Sequence, residues 1–71
     1  MATSVELETA GSVWKLHVKN GDQVTAGQLL FIMEVMKMEV PYEAPVDGVV
    51  GDVAIEEGAV VEEGLIAMTI G

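Results

Sequence analysis

The chain repeats itself. Displaced by 37 positions, the sequence lays Gly11 on Gly48, Gly21 on Gly58 and Gly27 on Gly64. Apolar residues follow the same offset: Val13 on Val50, Leu16 on Val53, Val18 on Ile55, Val24 on Val61, Leu29 on Ile66 and Phe31 on Met68. Residues 1–34 thus resemble residues 38–71, and Val35-Met36-Lys37 joins them. A solenoid needs at least three stacked units. Two units in 71 residues suit one domain with internal pseudo-two-fold symmetry.

Each half reads as strands. Trp14, Leu16 and Val18 alternate with Lys15, His17 and Lys19, a period of two with one wet face. Val53 and Ile55 alternate with Asp52, Ala54 and Glu56 in the second half. Asn20-Gly21-Asp22 and Glu57-Gly58 are turns, and Gly27 and Gly64 each end a short loop. The apolar runs Leu29–Met33 and Leu65–Ile70 read as strands buried on both faces. Short strands separated by turn signals indicate an all-β sandwich or barrel, and no segment holds a capped 3.6-residue apolar period. Trp14 aligns with Gly51, so it is expected to fill an asymmetric core. Pro41 cannot donate a ladder hydrogen bond, which puts its strand at an edge or bulge.

Charge and composition exclude several functions. Twelve acids against three lysines give a net charge of −9, whereas nucleic-acid binding requires clustered basic residues. Anionic membrane surfaces are disfavoured for the same reason, and no apolar run approaches the ~20 residues of a membrane span. The N-terminus lacks the basic start and apolar stretch of a signal peptide. Without cysteine there is no disulfide or thiolate metal site. A cytoplasmic protein is the expectation. His17 has no evident partner for base catalysis. Glu56-Glu57 and Glu62-Glu63 fall at turns without a ligand pattern, so they read as solvated loops and no metal site is expected.

The seam is the unusual stretch. Glu34-Val35-Met36-Lys37-Met38-Glu39 sets a lysine between two methionines and two glutamates. Alternation alone would also allow an ordinary strand with Met36 and Met38 inside and Lys37 outside. The repeat decides for a connection, because paired halves must be joined where one ends. A two-residue hairpin turn favours Asn or Gly, since its central residues need positive φ. Met36 and Lys37 do not relieve that strain, and local rules are broken where function demands it. Apolar methionines at a turn would shield the lysine stem or offer a soft contact surface. An exposed lysine beside carboxylates stays charged at neutral pH and is a poor nucleophile unaided. It fits a lysine acylated by another enzyme, so no catalytic residue is expected in this chain.

These residues resemble the biotinyl domains of biotin carboxyl carrier proteins, in the biotin/lipoyl attachment family. The family motif is Glu-Ala-Met-Lys-Met, matched by Glu34, Met36, Lys37 and Met38, with Val35 in place of the usual Ala. The resemblance extends over essentially the whole chain, through the Gly21-Asp22 turn, Gly27, Gly48, Gly58 and Gly64. It implies a flattened barrel of two four-stranded antiparallel sheets, with the lysine at a hairpin tip and the termini at the other end. It implies biotin in amide linkage to Lys37, attached by a biotin protein ligase. The biotin then acts as a swinging arm, carboxylated by a biotin carboxylase and discharged by a carboxyltransferase. Val13-Trp14-Lys15-Leu16 runs on without the "thumb" insertion of some bacterial carriers, so the thumbless type is implied. The expectation is a monomeric carrier domain, either a small stand-alone protein or an excised domain. Two other readings stay open: a lipoyl-type carrier on the same fold, although the Asp-Lys-Ala turn typical of lipoyl domains is absent, and an unmodified structural or interaction module.

Overall fold

The computed structural model describes residues 2–71. They form eight strands: β1 (Thr3–Glu6), β2 (Gly11–Leu16), β3 (Gln23–Val24), β4 (Leu29–Val35), β5 (Met38–Glu43), β6 (Gly48–Gly51), β7 (Val60–Val61) and β8 (Ile66–Ile70). Two four-stranded sheets result, ordered β1-β8-β6-β3 and β5-β4-β2-β7. Every pairing is antiparallel. The all-β sandwich or barrel read from the strand pattern is adopted, with the two four-stranded antiparallel sheets that the family resemblance implies. No helix among the described residues is long and apolar enough to cross a membrane.

The 37-residue offset maps β1, β2, β3 and β4 onto β5, β6, β7 and β8, and so exchanges the two sheets. Backbone hydrogen bonds obey the same operation. Gly21 N–H donates to the Val50 carbonyl at 2.8 Å, and Gly58 N–H to the Val13 carbonyl at 2.7 Å. Gly27 N–H donates to Ala44 at 2.8 Å, and Gly64 N–H to Leu7 at 2.9 Å. These four glycines have φ between 85° and 93°, the left-handed region that side chains resist. Side chains repeat the pattern with different chemistry. Leu16 N–H donates to Glu57 Oε2 at 3.0 Å, and its counterpart Val53 N–H donates to Asn20 Oδ1 at 3.0 Å.

The core is built from the same pairs. Leu7 and Ala44, Val13 and Val50, Val18 and Ile55, and Val24 and Val61 are buried mates at the offset. So are Leu30 and Ala67, Phe31 and Met68, and Met33 and Ile70. Large and small alternate within some pairs, notably Leu7 with Ala44 and Leu30 with Ala67. Unequal mates let two equivalent layers interdigitate without voids. Tyr42 stacks on Phe31, ring centroids 4.7 Å apart and planes at 11°.

Three expectations fail. The alternating segment 53–56 is not a strand: β6 ends at Gly51, where Asp52 takes a φ of 51° and breaks the extended backbone. Trp14 is exposed, not core. β2 pairs Val13 with Met33 and Lys15 with Ile32, so Trp14 is an extra residue in a β-bulge and is turned outward. Lys15 Nζ lies 5.7 Å from its ring centroid. The runs Leu29–Met33 and Leu65–Ile70 are not covered on both faces either. Leu65 and Ile66 are exposed, and Leu29 and Ile32 are half-buried. In a two-layer antiparallel sandwich each sheet has one face against the core and one toward water. Pro41 behaves as read: β5 is the edge strand of its sheet. His17, Glu56, Glu57, Glu62 and Glu63 are exposed. Among the described residues, no three or more His, Asp or Glu side chains converge to hold a metal ion.

Candidate functional site

β4 and β5 form the longest hairpin of the molecule. Ile32 pairs with Pro41, Met33 with Val40, Glu34 with Glu39 and Val35 with Met38. That register leaves only Met36 and Lys37 between the strands. Both have positive φ, 51° and 65°, as a tight turn matching strand twist demands. Neither residue type relieves the conformation, so each costs on the order of 1–3 kcal/mol, held in place by the flanking ladder.

The turn places its side chains in water. Met36 is 91% exposed and Met38 65%, and Lys37, Glu34 and Glu39 are exposed as well. Val35 is half-buried and packs against the core cluster, fixing the base of the hairpin. Among the described residues the single ion pair is Lys19 with Asp22 at 3.9 Å. The ammonium of Lys37 therefore stands outside any ion pair there, despite the carboxylates on both strands. Glu34, Val35, Met36, Lys37 and Met38 thus gather on one rigid tip. The structure offers a primary amine with open access and a rigid base, but no neighbouring acid–base pair for catalysis.

The tip lies at one end of the molecule. β2 runs from Gly11, level with Val35, away from the turn. Past its far end Gly21 bonds to Val50, and Val50 pairs with Ile70. Ala2 and Gly71 are therefore at the other end, where they lie against each other. The offset maps Glu34 onto Gly71 and Ala2 onto Glu39, so the tip is where the first half joins the second.

Gly11 is a supporting residue whose role sequence reasoning missed. In the sequence it is one of the repeat glycines, but it lies within β2 and has no positive φ. A Cβ there would sit 2.6 Å from the Glu34 carbonyl oxygen and 3.0 Å from Val35 Cγ2. Gly11 lets β2 approach the hairpin base closely; its mate Gly48 meets Gly71 and Ile70 in the same way. Gly11→Ala is expected to lower stability by about 1–3 kcal/mol through this overpacking. Urea denaturation measures it, and an unchanged midpoint would show that the hairpin base yields freely.

Comparison with known proteins agrees with this geometry. A family model described as biotin-requiring enzyme matches residues 1–70. The biotin/lipoyl attachment protein of Bacillus subtilis (strain 168) is 43% identical over 67 residues, covering 94% of this chain and 92% of that protein. The biotinylated protein TB7.3 homolog of Mycobacterium leprae is 42% identical over 69 residues, covering 96% and 97%. The structure superposes on Kluyveromyces lactis urea carboxylase with a TM-score of 0.89 at 32% identity, covering all of this chain but 6% of the carboxylase. The lipoyl domain of the 2-oxoglutarate dehydrogenase complex from Azotobacter vinelandii gives a TM-score of 0.78 at 27% identity, covering 89% of this chain and 80% of that domain. The chain belongs to the biotin/lipoyl attachment family, as a non-catalytic carrier domain whose relatives include a biotin-dependent acyl-coenzyme A carboxylase subunit of Mycobacterium leprae.

Proposed function

We propose that the chain is a biotin carboxyl carrier with biotin in amide linkage to Lys37 Nζ. A biotin protein ligase loads it, and a biotin carboxylase and a carboxyltransferase use it in turn. Residues 1–71 act as one domain, with halves 1–34 and 38–71 joined at 35–37. We take its compartment to be the cytoplasm.

The observation that carries this reading is the left-handed Met36-Lys37 turn. A strained two-residue turn holds a lysine where Asn-Gly would fit without strain. The residues suit the group: an exposed primary amine forms an amide and loses its charge. Bound biotin supplies a ureido nitrogen able to hold a carboxyl group. The chain itself supplies position. Its β4–β5 ladder fixes the attachment point, and Met36 and Met38 give a soft apolar collar without a fixed shape. Glu34 and Glu39, directly paired across the strands, keep the tip hydrated and acidic. Tethering raises the local concentration of the group at each enzyme in turn.

Intact mass tests the proposal. Expressed in a host supplying biotin and a biotin protein ligase, the chain should gain the mass of biotin less one water. A lipoyl-sized increment would favour the lipoyl carrier. No adduct, with biotin, lipoate and a ligase for each supplied, would leave an unmodified interaction module.

A further inference from the structure

The internal repeat supplies its own control, and one surface departs from it. A shallow groove runs along the loop between β7 and β8. It is made of two adjoining depressions that share Glu63: Val60, Leu65 and Glu62 line one, and Glu6, Leu7 and Glu8 the other. The equivalents of Val60 and Leu65 in the first half are Gln23 and Gln28. Those of Glu62 and Glu63 are Thr25 and Ala26. Positions that are uncharged in one half, three of the four of them polar, are thus aliphatic or acidic in the other, on the same backbone. Val60 is 85% exposed, which folding does not reward.

The backbone differs in the same direction. Ala26 N–H donates to Asp47 Oδ1 at 2.7 Å, and Thr25 N–H to Gln28 Oε1 at 3.2 Å. Asp47 and Gln28 correspond to Ala10 and Leu65, which carry no acceptor. The amides of Glu63 and Glu62 are therefore left to water or to a partner's carbonyl groups.

The groove lies beside the lysine. Val61 pairs with Gly11, and Gly11 is level with Val35 on the other side of β2. Two strand spacings, about 10 Å, separate Val61 from the hairpin base. β7 runs toward the tip, so the loop carrying Glu62 and Glu63 rises level with the Met36-Lys37 turn.

On the carrier reading above, we propose that this groove docks the biotin carboxylase, through an extended basic segment with an aliphatic anchor. Charge complementarity selects the basic segment. The aliphatic residue sits on Val60 and Leu65, and flanking Lys or Arg side chains face the four glutamates. A second copy of this chain is disfavoured, since both would carry a net charge of −9. Charge steering with a small apolar contact gives the fast, weak binding that a shuttling carrier needs.

The test uses the biotinylated chain as substrate of a biotin carboxylase, read by bicarbonate-dependent ATP hydrolysis. Two double variants copy the first half: Val60→Gln with Leu65→Gln, and Glu62→Thr with Glu63→Ala. Each places side chains that the equivalent backbone already accepts, and equal melting temperatures confirm folding. The apolar variant should raise KM for the carrier about tenfold with kcat unchanged. The charge variant should raise KM at low salt and flatten its salt dependence. Turnover of free biotin and loading by the ligase should not change. A loaded parent whose KM is indifferent to both variants overturns the docking. Slowed ligase loading with unchanged KM overturns it too, by assigning the groove to the ligase. Concentration-dependent dimerisation, abolished by the apolar variant, would assign it to a second copy. A parent chain that takes up no biotin overturns the carrier reading and the docking together.

Discussion

A Lys37→Arg chain should fold and melt with the parent and take up no biotin. Met36→Asn combined with Lys37→Gly should also take up none, and should melt higher. Both outcomes follow from the turn. Arginine keeps the charge, the length and the positive-φ strain of lysine, so the folded state is unchanged. Its guanidinium does not form the amide. Lys15 and Lys19 are exposed as well and remain in the variant, so they serve as internal controls. If streptavidin still detects Lys37→Arg, the attachment site is one of them. The Asn-Gly variant removes strain at φ 51° and 65°. A net gain of about 1–2 kcal/mol is expected from relieving both positions. For a domain of this size that corresponds to roughly 4–8 °C per kcal/mol in Tm. A variant melting no higher than the parent would mean that the ladder, not the turn, sets the hairpin's stability. The measured pair separates what the turn costs from what it does: the strain belongs to backbone geometry, the modification to one amine.

The duplication made most of this architecture readable in advance. Glycines and apolar residues fall in register at 37, and the backbone hydrogen bonds obey the same offset. Pro41 gave the edge strand, because a missing N–H has one reading in a ladder. What escaped was whatever depends on a single-residue displacement. The β2 bulge shifts Trp14 to the outer face, and alternation cannot reveal an inserted residue. A bulge changes which residues face inward without changing which residues are present. Gly11 was visible as a glycine but not as a close approach, since its meaning lies in the Glu34 carbonyl of another strand. Asp52, with φ 51°, carried no local signal at all. The tip residues were legible because Met-Lys at a seam contradicts ordinary turn chemistry. The groove beside them becomes visible only when the halves are compared at equivalent positions in three dimensions.

Phe31→Ala should remove a large share of the chain's stability. Phe31 is fully buried and stacks on Tyr42 at 4.7 Å. Tyr42 in turn accepts a hydrogen bond from Glu8 N–H at 3.0 Å, tying the β1–β2 connection to β5. Truncating a buried Phe costs about 3–5 kcal/mol, through lost transfer energy and an unfilled cavity. At about 0.05–0.15 kcal/mol per residue, a chain of this length has only about 4–11 kcal/mol in total. The loss should lower Tm by at least about 12 °C. Met68, the offset mate of Phe31, is buried to the same depth in the other sheet. Met68→Ala should cost about 2–5 kcal/mol, less than Phe31→Ala by the aromatic pair's about 0.5–1.5 kcal/mol. Urea midpoints at constant m measure both variants. Equal losses would show that the stack adds nothing beyond buried area. A loss below about 1 kcal/mol in either would show that the two halves collapse around the gap. The ordering also bears on the lysine, since Phe31 belongs to the same strand as the hairpin tip. Phe31→Ala should reduce biotin uptake only in proportion to the unfolded fraction, because the turn itself keeps its geometry whenever β4 and β5 are paired.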